Sequence, residues 1–168
     1  MYVAVREPED WLDTYAGGIF TNIDTSNADA VKDHILKLFP GWDSTILDSV
    51  RNADPDSIIS RRIYALPYPH TWESKAGITL LGDAAHLMSP FAGEGVNLAM
   101  IDAMDLALTI VESGVKGLQT FEEKMFKRAA EMAKESADNI EVMFSPDAPK
   151  PFVDKMAFLM SQGPPEDH

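Results

Sequence analysis

An α+β (α/β) fold is the class the sequence predicts, on two observations. Short β-prone apolar runs stand at residues 2–6, 57–66 and 78–81, and long stretches with helical spacing stand at 95–113 and 120–144. The two kinds of element are interleaved along the chain, so strands covered by helices are expected.

In chain order, Tyr2, Val3, Ala4, Val5 and Arg6 form a first run closed by Pro8, and residues 17–20 begin a second strand after a turn. Asn27 stands where it can cap a helix over 28–39: Val31, Ile35 and Leu38 share a face, and Pro40 and Gly41 stop it. A second helix is expected at 43–52, carrying Ile46, Leu47 and Val50, before the turn at Asp54, Pro55 and Asp56. Residues 57–66 read as a strand with apolar side chains on both faces, and 78–81 as a short buried strand that delivers Asp83 at its carboxyl end. From Gly95 to Ser113 the polar positions Asn97, Asp102, Asp105, Thr109 and Glu112 fall at steps of five, three, four and three. Apolar side chains are left almost all round, which predicts a mostly buried helix ending at Gly114. Thr120 and Glu123 have capping-box spacing and open a long helix to about Phe144, ended by Ser145 and Pro146. The tail at 161–168 is rich in Pro, Gly and acid and is expected to be disordered. There is no internal repeat.

Composition excludes several functions. A balance of 14 Lys+Arg against 27 Asp+Glu, net −13, repels phosphate backbones and anionic lipid surfaces, so neither nucleic acid nor a membrane is an expected partner. No apolar run reaches the roughly 18 residues that span a bilayer. The absence of cysteine removes disulfides, thiolate zinc sites and a thiol nucleophile, and the first sixteen residues do not read as a secretory leader, so a cytoplasmic location is expected. Asp83 and His86 lack a second histidine or carboxylate motif at ligand spacing, which argues against a metal, and His86 reads as a hydrogen-bonded structural histidine. No Gly-x-Ser-x-Gly elbow offers hydrolase chemistry.

The chemistry concentrates in "GDAAHLMSPFAGEGVN", residues 82–97. Asp83 follows a glycine at a strand end, where its carboxylate can accept hydrogen bonds from sugar or polyol hydroxyls; on spacing alone it can equally cap a short helix at 84–87. Gly93 and Gly95 flank Glu94 just before the long helix. The backbone can there approach a ligand closely, and the first free N–H groups of the helix point at it; the alternative is a tight turn with glycines for steric reasons. Pro90 and Phe91 form a rigid apolar ledge beside that helix, or a simple core aromatic.

Together these residues resemble the second FAD-contacting motif of class A flavoprotein monooxygenases, the aromatic-hydroxylase group. The flank "KMFKRAAEMAKESADNIEVMF" is most similar to the tetracycline-inactivating and related polyketide-type monooxygenases, "MYVAVREPEDW" resembles part of their substrate-covering sheet, and "SRRIYALP" the strand leading back to the flavin domain. The resemblance implies FAD-dependent monooxygenation of an aromatic or polyketide-like small molecule, with NADPH or NADH as reductant. It implies that Gly82 and Asp83 bind the ribityl or pyrophosphate part of FAD and that Pro90 lies near the reactive edge of the isoalloxazine. Backbone groups of Gly93, Glu94, Gly95, Val96 and Asn97 would meet its pyrimidine edge. The family's first βαβ unit, with Gly-x-Gly-x-x-Gly for the ADP half of FAD, has no counterpart in these 168 residues. A partial fold lacking that Rossmann unit is therefore expected: part of the substrate sheet with short helices at 1–66, the flavin-contacting strand, turn and helix at 67–115, and the long helix with its following segment at 116–160. The alternative is a non-catalytic relic or interaction module that needs a partner chain carrying the missing half.

Overall fold

The computed structural model describes residues 1–161, so all but the first residue of the predicted tail at 161–168 lies outside the described residues. The chain divides into two compact units, Met1–Arg62 and the part from Ile63 onward.

In the first unit, α1 (Trp11–Thr14) runs into a 3-10 turn at Tyr15–Gly17, followed by α2 (Ala28–Leu38) and α3 (Ser44–Arg51). The two longer helices form where the spacing predicts them. Asp43 caps α3 by accepting the Thr45 N–H at 2.8 Å. Asn27 makes no such cap on α2. Its side chain is spent on the preceding turn, accepting the Asp24 N–H at 2.9 Å and donating to the Asn22 carbonyl at 2.7 Å. Phe20, Ala28, Val31 and Val50 are buried, and Trp11, Tyr15 and Phe20 stack with centroids 4.5–5.8 Å apart.

In the second unit, α4 (Asp83–His86), a 3-10 turn at Pro90–Ala92, α5 (Gly95–Ser113), a 3-10 turn at Gly114–Gly117, α6 (Leu118–Met143) and α7 (Lys150–Ser161) follow in order. Ala85, Phe121 and Met125 form the core, packed against Trp72, Leu81, Leu106 and Phe126. α6 begins two residues before the expected capping box, with Gly117 at its N-cap. A Cβ at Gly117 would stand 2.5 Å from Thr109 Cγ2, so the reversal between α5 and α6 needs glycine there.

The expected α+β (α/β) fold is corrected by these elements. Among the described residues there is no strand and no sheet, only one isolated antiparallel bridge between Lys75 and Ile78. Residues 2–6, 17–20, 57–66 and 78–81 do not form the strands their composition suggests. An apolar β-prone run becomes a strand only when a neighbour takes up its backbone hydrogen bonds along its length, and these runs make only single contacts, Leu66 N–H to the Leu87 carbonyl and Ile78 N–H to the Lys75 carbonyl. Their side chains stay exposed accordingly: Ile59 at 67%, Ile63 at 53%, Ile78 at 66% and Leu80 at 46%. α5 forms over the expected span but is not mostly buried. Only Leu98 and Asp102 are buried on it, while Val96, Met100, Met104, Leu108 and Val111 are exposed.

Candidate functional site

The residues singled out in the sequence gather around the start of α5. Gly82, with φ 58° and ψ −142°, sits in the left-handed half of backbone space, where a side chain is strained. A Cβ built on it would lie 3.2 Å from the Ala99 Cβ. Gly82 is thus pressed against the second turn of α5, and its N–H donates to Asp102 Oδ2 at 3.0 Å. Asp83 follows at once, in the first turn of α4, exposed to solvent. It makes no side-chain cap hydrogen bond, because the N-cap position belongs to Gly82. The reading of Asp83 as a helix cap therefore loses its basis.

Pro90 is exposed at the first position of its 3-10 turn, and Gly93 ends that turn with φ 74°. Around both Gly93 and Gly95 a Cβ would meet nothing within 4 Å, so their backbone borders open space. Glu94 is the N-cap of α5 without a side-chain cap bond; its carboxylate instead accepts from Asn97 Nδ2 at 3.0 Å. The first intrahelical bond runs from the Leu98 N–H to the Glu94 carbonyl at 2.9 Å. The N–H groups of Gly95, Val96 and Asn97 consequently have no carbonyl partner within the helix. Val96 is 74% exposed and Asn97 is also exposed, while Glu94 and Gly95 are half-buried. Among the predicted site residues only Gly82 is fully buried.

What fixes this end of the molecule is a buried ion network that sequence reasoning did not reach. Asp102, with no exposed surface, accepts from the Gly82 N–H, lies 2.6 Å from His86 Nε2, and accepts from Arg128 Nη2 at 2.9 Å. Arg128 also donates to Asp105 at 3.0 Å, tying α6 to α5. Burial pushes the Asp102 carboxyl up, but His86, the Gly82 N–H and Arg128 outweigh it and hold the group below the ordinary carboxylate value. His86 is the structural, hydrogen-bonded histidine expected from the sequence. The only signal for the network was a pair of acids interrupting an otherwise apolar helix.

A second buried acid anchors the segment leading to Gly82. Glu122 of α6 accepts from Trp72 Nε1 at 3.0 Å and Thr79 Oγ1 at 2.8 Å. Burial raises its pKa, yet hydrogen bonding with Ser74, Thr79 and Trp72 prevails and lowers it. Among the described residues no group of three His, Cys, Asp or Glu side chains could hold a metal ion. A cavity of about 590 Å³ lies between Ala65, Leu66, Pro67, Tyr68, Met88 and Ser89 on one side and Ala133, Ala137 and Ile140 of α6 on the other. None of the predicted site residues lines it, and Ser89, which does, immediately precedes Pro90. No helix among the described residues is long and apolar enough to cross a membrane.

The chain is similar to known proteins over part of its length. A family model described as FAD binding domain matches residues 69–136. Zeaxanthin epoxidase, chloroplastic, of Solanum lycopersicum is 37% identical over 94 residues, which is 54% of this chain and 14% of that protein. Its namesake from Capsicum annuum is 39% identical over 79 residues, 47% of this chain and 12% of that protein. Monooxygenase asqM of Emericella nidulans is 57% identical over 51 residues, 30% of this chain and 12% of that protein. The matched stretch thus spans about one-seventh or less of the length of these relatives. Residues 69–136, which hold the Gly82 turn and the open glycines before α5, are thus similar to an FAD binding domain, and part of the chain is similar to proteins named as a zeaxanthin epoxidase and a monooxygenase.

Proposed function

We propose that this chain supplies the flavin-ring side of an FAD site in a monooxygenase that acts on an aromatic or polyketide-like small molecule with NADPH or NADH as reductant. The carrying observation is the conjunction at the α5 end: an exposed Asp83 fixed by a buried Gly82, beside two glycines that border open space before an uncapped helix start. The residues fit the group. Asp83 is an acceptor-only carboxylate suited to the hydroxyls of the ribityl chain, and the free N–H groups of Gly95, Val96 and Asn97 suit the pyrimidine edge. The positive end of the α5 dipole favours negative charge there, by about 0.3–1 kcal/mol for an exposed anion and up to about 2 in partly buried geometry. Pro90 would border the reactive edge. Bound FAD would supply the oxygen chemistry, and the chain's own contribution is to orient the ring, favour charge on it and exclude water.

The contacts to the ADP half are assigned, as part of this reading, to residues outside these 168. The exposed apolar face of α5 supports it, since a face of that kind marks a surface that another polypeptide segment covers. A cytoplasmic location completes the proposal and rests on the acidic composition and lack of cysteine.

Flavin fluorescence titration tests the reading. The chain alone is expected to bind FAD weakly or undetectably and to show no substrate-dependent NAD(P)H oxidation. Joined to the flavin-binding region of a relative such as the Emericella monooxygenase, it should retain FAD. Submicromolar affinity with turnover in the chain alone would show the division of the site to be wrong, and a folded joined protein that takes up no FAD would remove the flavin assignment.

A further inference from the structure

Pro90 has no N–H to donate, and its carbonyl is spent inside the turn on the Gly93 N–H at 3.1 Å, so α6 can hold the turn through the carbonyls on either side. In this fold the carbonyls on both sides are taken by α6. Ser136 Oγ donates to the Ser89 carbonyl at 2.6 Å, and Asn139 Nδ2 donates to the Phe91 carbonyl at 2.9 Å. The Ser136 proton being committed to that carbonyl, the Ser89 hydroxyl donates in turn to Ser136 Oγ, also 2.6 Å away. Both serines are buried, with Ser136 at 1% and Ser89 at 5% exposure. Phe144 packs its edge on Phe91 with centroids 5.6 Å apart, closing the contact from the end of α6. Asn139 is held from its other side, since Lys155 Nζ of α7 donates to Asn139 Oδ1. Two helical residues three apart therefore grip two carbonyls that bracket a single exposed proline.

We infer that Ser136 and Asn139 are positioning residues for Pro90: they form a two-point clamp, braced by Lys155, that sets the height and tilt of the Pro90–Phe91 turn against the flavin ring. The inference rests on the flavin reading proposed above and adds to it the α6 residues that give the ledge its rigidity. A turn that was merely a connector would need neither buried anchor. Here the structure places a polar side chain at each carbonyl, on a helix that buries Leu118, Phe121, Met125 and Ala129 nearer its start.

Asn139→Asp separates the clamp from plain structural support. It keeps the shape and the oxygen that accepts from Lys155, and turns that contact into an ion pair, but it deletes the one N–H that holds the Phe91 carbonyl. Ser136→Ala is the companion variant. In the 168-residue chain, hydrogen exchange of the amides at 91–94 should quicken about tenfold in either variant, as expected for loss of one hydrogen bond, while exchange in α5 stays unchanged. In the chain joined to the flavin-binding region of the Emericella relative, FAD affinity should fall about three- to tenfold and the visible absorption bands of bound flavin should shift, with the melting temperature of Asn139→Asp held. Unchanged exchange at 91–94 overturns the clamp. Faster exchange with unaltered flavin affinity and spectrum overturns its role toward the ring and leaves the flavin reading standing. A wild-type joined protein without FAD removes that reading and the inference with it.

Discussion

The two long helices of the second unit differ in how many apolar side chains they bury. α6 buries Leu118, Phe121, Met125 and Ala129 on one stripe, with Glu122 and Ser136 set into it as anchors. α5 buries Leu98 and Asp102 and leaves Val96 at 74%, Met100 at 67% and Val111 at 84% exposure. An amphipathic helix such as α6 names its covered face through the spacing of its apolar residues, and the described part of the chain is enough to cover it. A helix apolar nearly all round names no face. Its orientation is decided instead by its strongest polar demand, and a carboxylate that gathers a backbone N–H, an imidazole and a guanidinium outweighs several methyl groups. Asp102 goes in and the methionines stay out. At about 25 cal/mol per Å² of apolar surface, the exposed face is where the covering segment proposed above would gain most.

If that contrast is right, its largest consequence is at the acid. Asp102→Asn should cost about 3–5 kcal/mol in urea unfolding, because it leaves Arg128 and His86 around a buried site without their anion. A cost under about 1 kcal/mol would mean that α5 is oriented by packing after all. Next comes the pair of methionines. Met125→Ala, in the core, should cost about 2–5 kcal/mol, whereas Met100→Ala on the open face of α5 should stay within about 0.5 kcal/mol. Equal losses at the two positions in the same assay would show that the α5 face is covered in solution.

Acid should sharpen the comparison further. Asp102 and Glu122 are both held below the ordinary carboxylate value, so each binds its proton less readily folded than unfolded. Their stabilising contributions are complete above the unfolded value, about 3.9 for Asp and 4.3 for Glu, and are lost as the pH falls through the lower folded values. The urea midpoint of the wild type should therefore drop steeply below about pH 4. In Asp102→Asn the same plot should be flatter, retaining the part due to Glu122. An identical pH slope in the two proteins would mean that Asp102 is not the group that titrates.

The helices were legible in the sequence wherever a local signal exists. Spacing located α2, α3, α5 and α6 to within a few residues, and the glycines at 93 and 95 marked the α5 start. Strands were not legible, because a strand is a relation between segments and residues 57–66 and 78–81 carry only one side of it. The burial of α5 was misjudged for the same kind of reason: it depends on what lies opposite. At the candidate site, the motif at 82–97 could be read as a string: Gly82 and Gly93 sit at positive φ, and Gly95 borders open space. Asp102, Arg128, Ser136 and Asn139 could not, since their roles depend on contacts across 20 to 48 residues of chain.

The smallest effect on folding is expected at the residue with the largest predicted effect on the cofactor. A helix cap at Asp83 would be worth about 0.5–2 kcal/mol, but the structure gives the cap position to Gly82 and leaves the Asp83 carboxylate exposed without a cap bond. Asp83→Ala should then change stability by less than about 0.5 kcal/mol. In the chain joined to a relative's flavin-binding region, the same substitution removes an acceptor for the FAD hydroxyls. A hydrogen bond to a charged acceptor is worth about 1.5–3 kcal/mol, so FAD affinity should fall roughly ten- to a hundredfold. Asp102→Asn supplies the opposite pattern, a large loss of stability whose effect on FAD follows from loosening Gly82. Comparing melting temperature and FAD affinity for both variants separates a residue that touches the cofactor from one that holds the backbone beside it. An Asp83→Ala protein that melts several degrees lower yet keeps FAD as tightly as the wild type would make Asp83 structural and move the cofactor contact elsewhere on the α5 end.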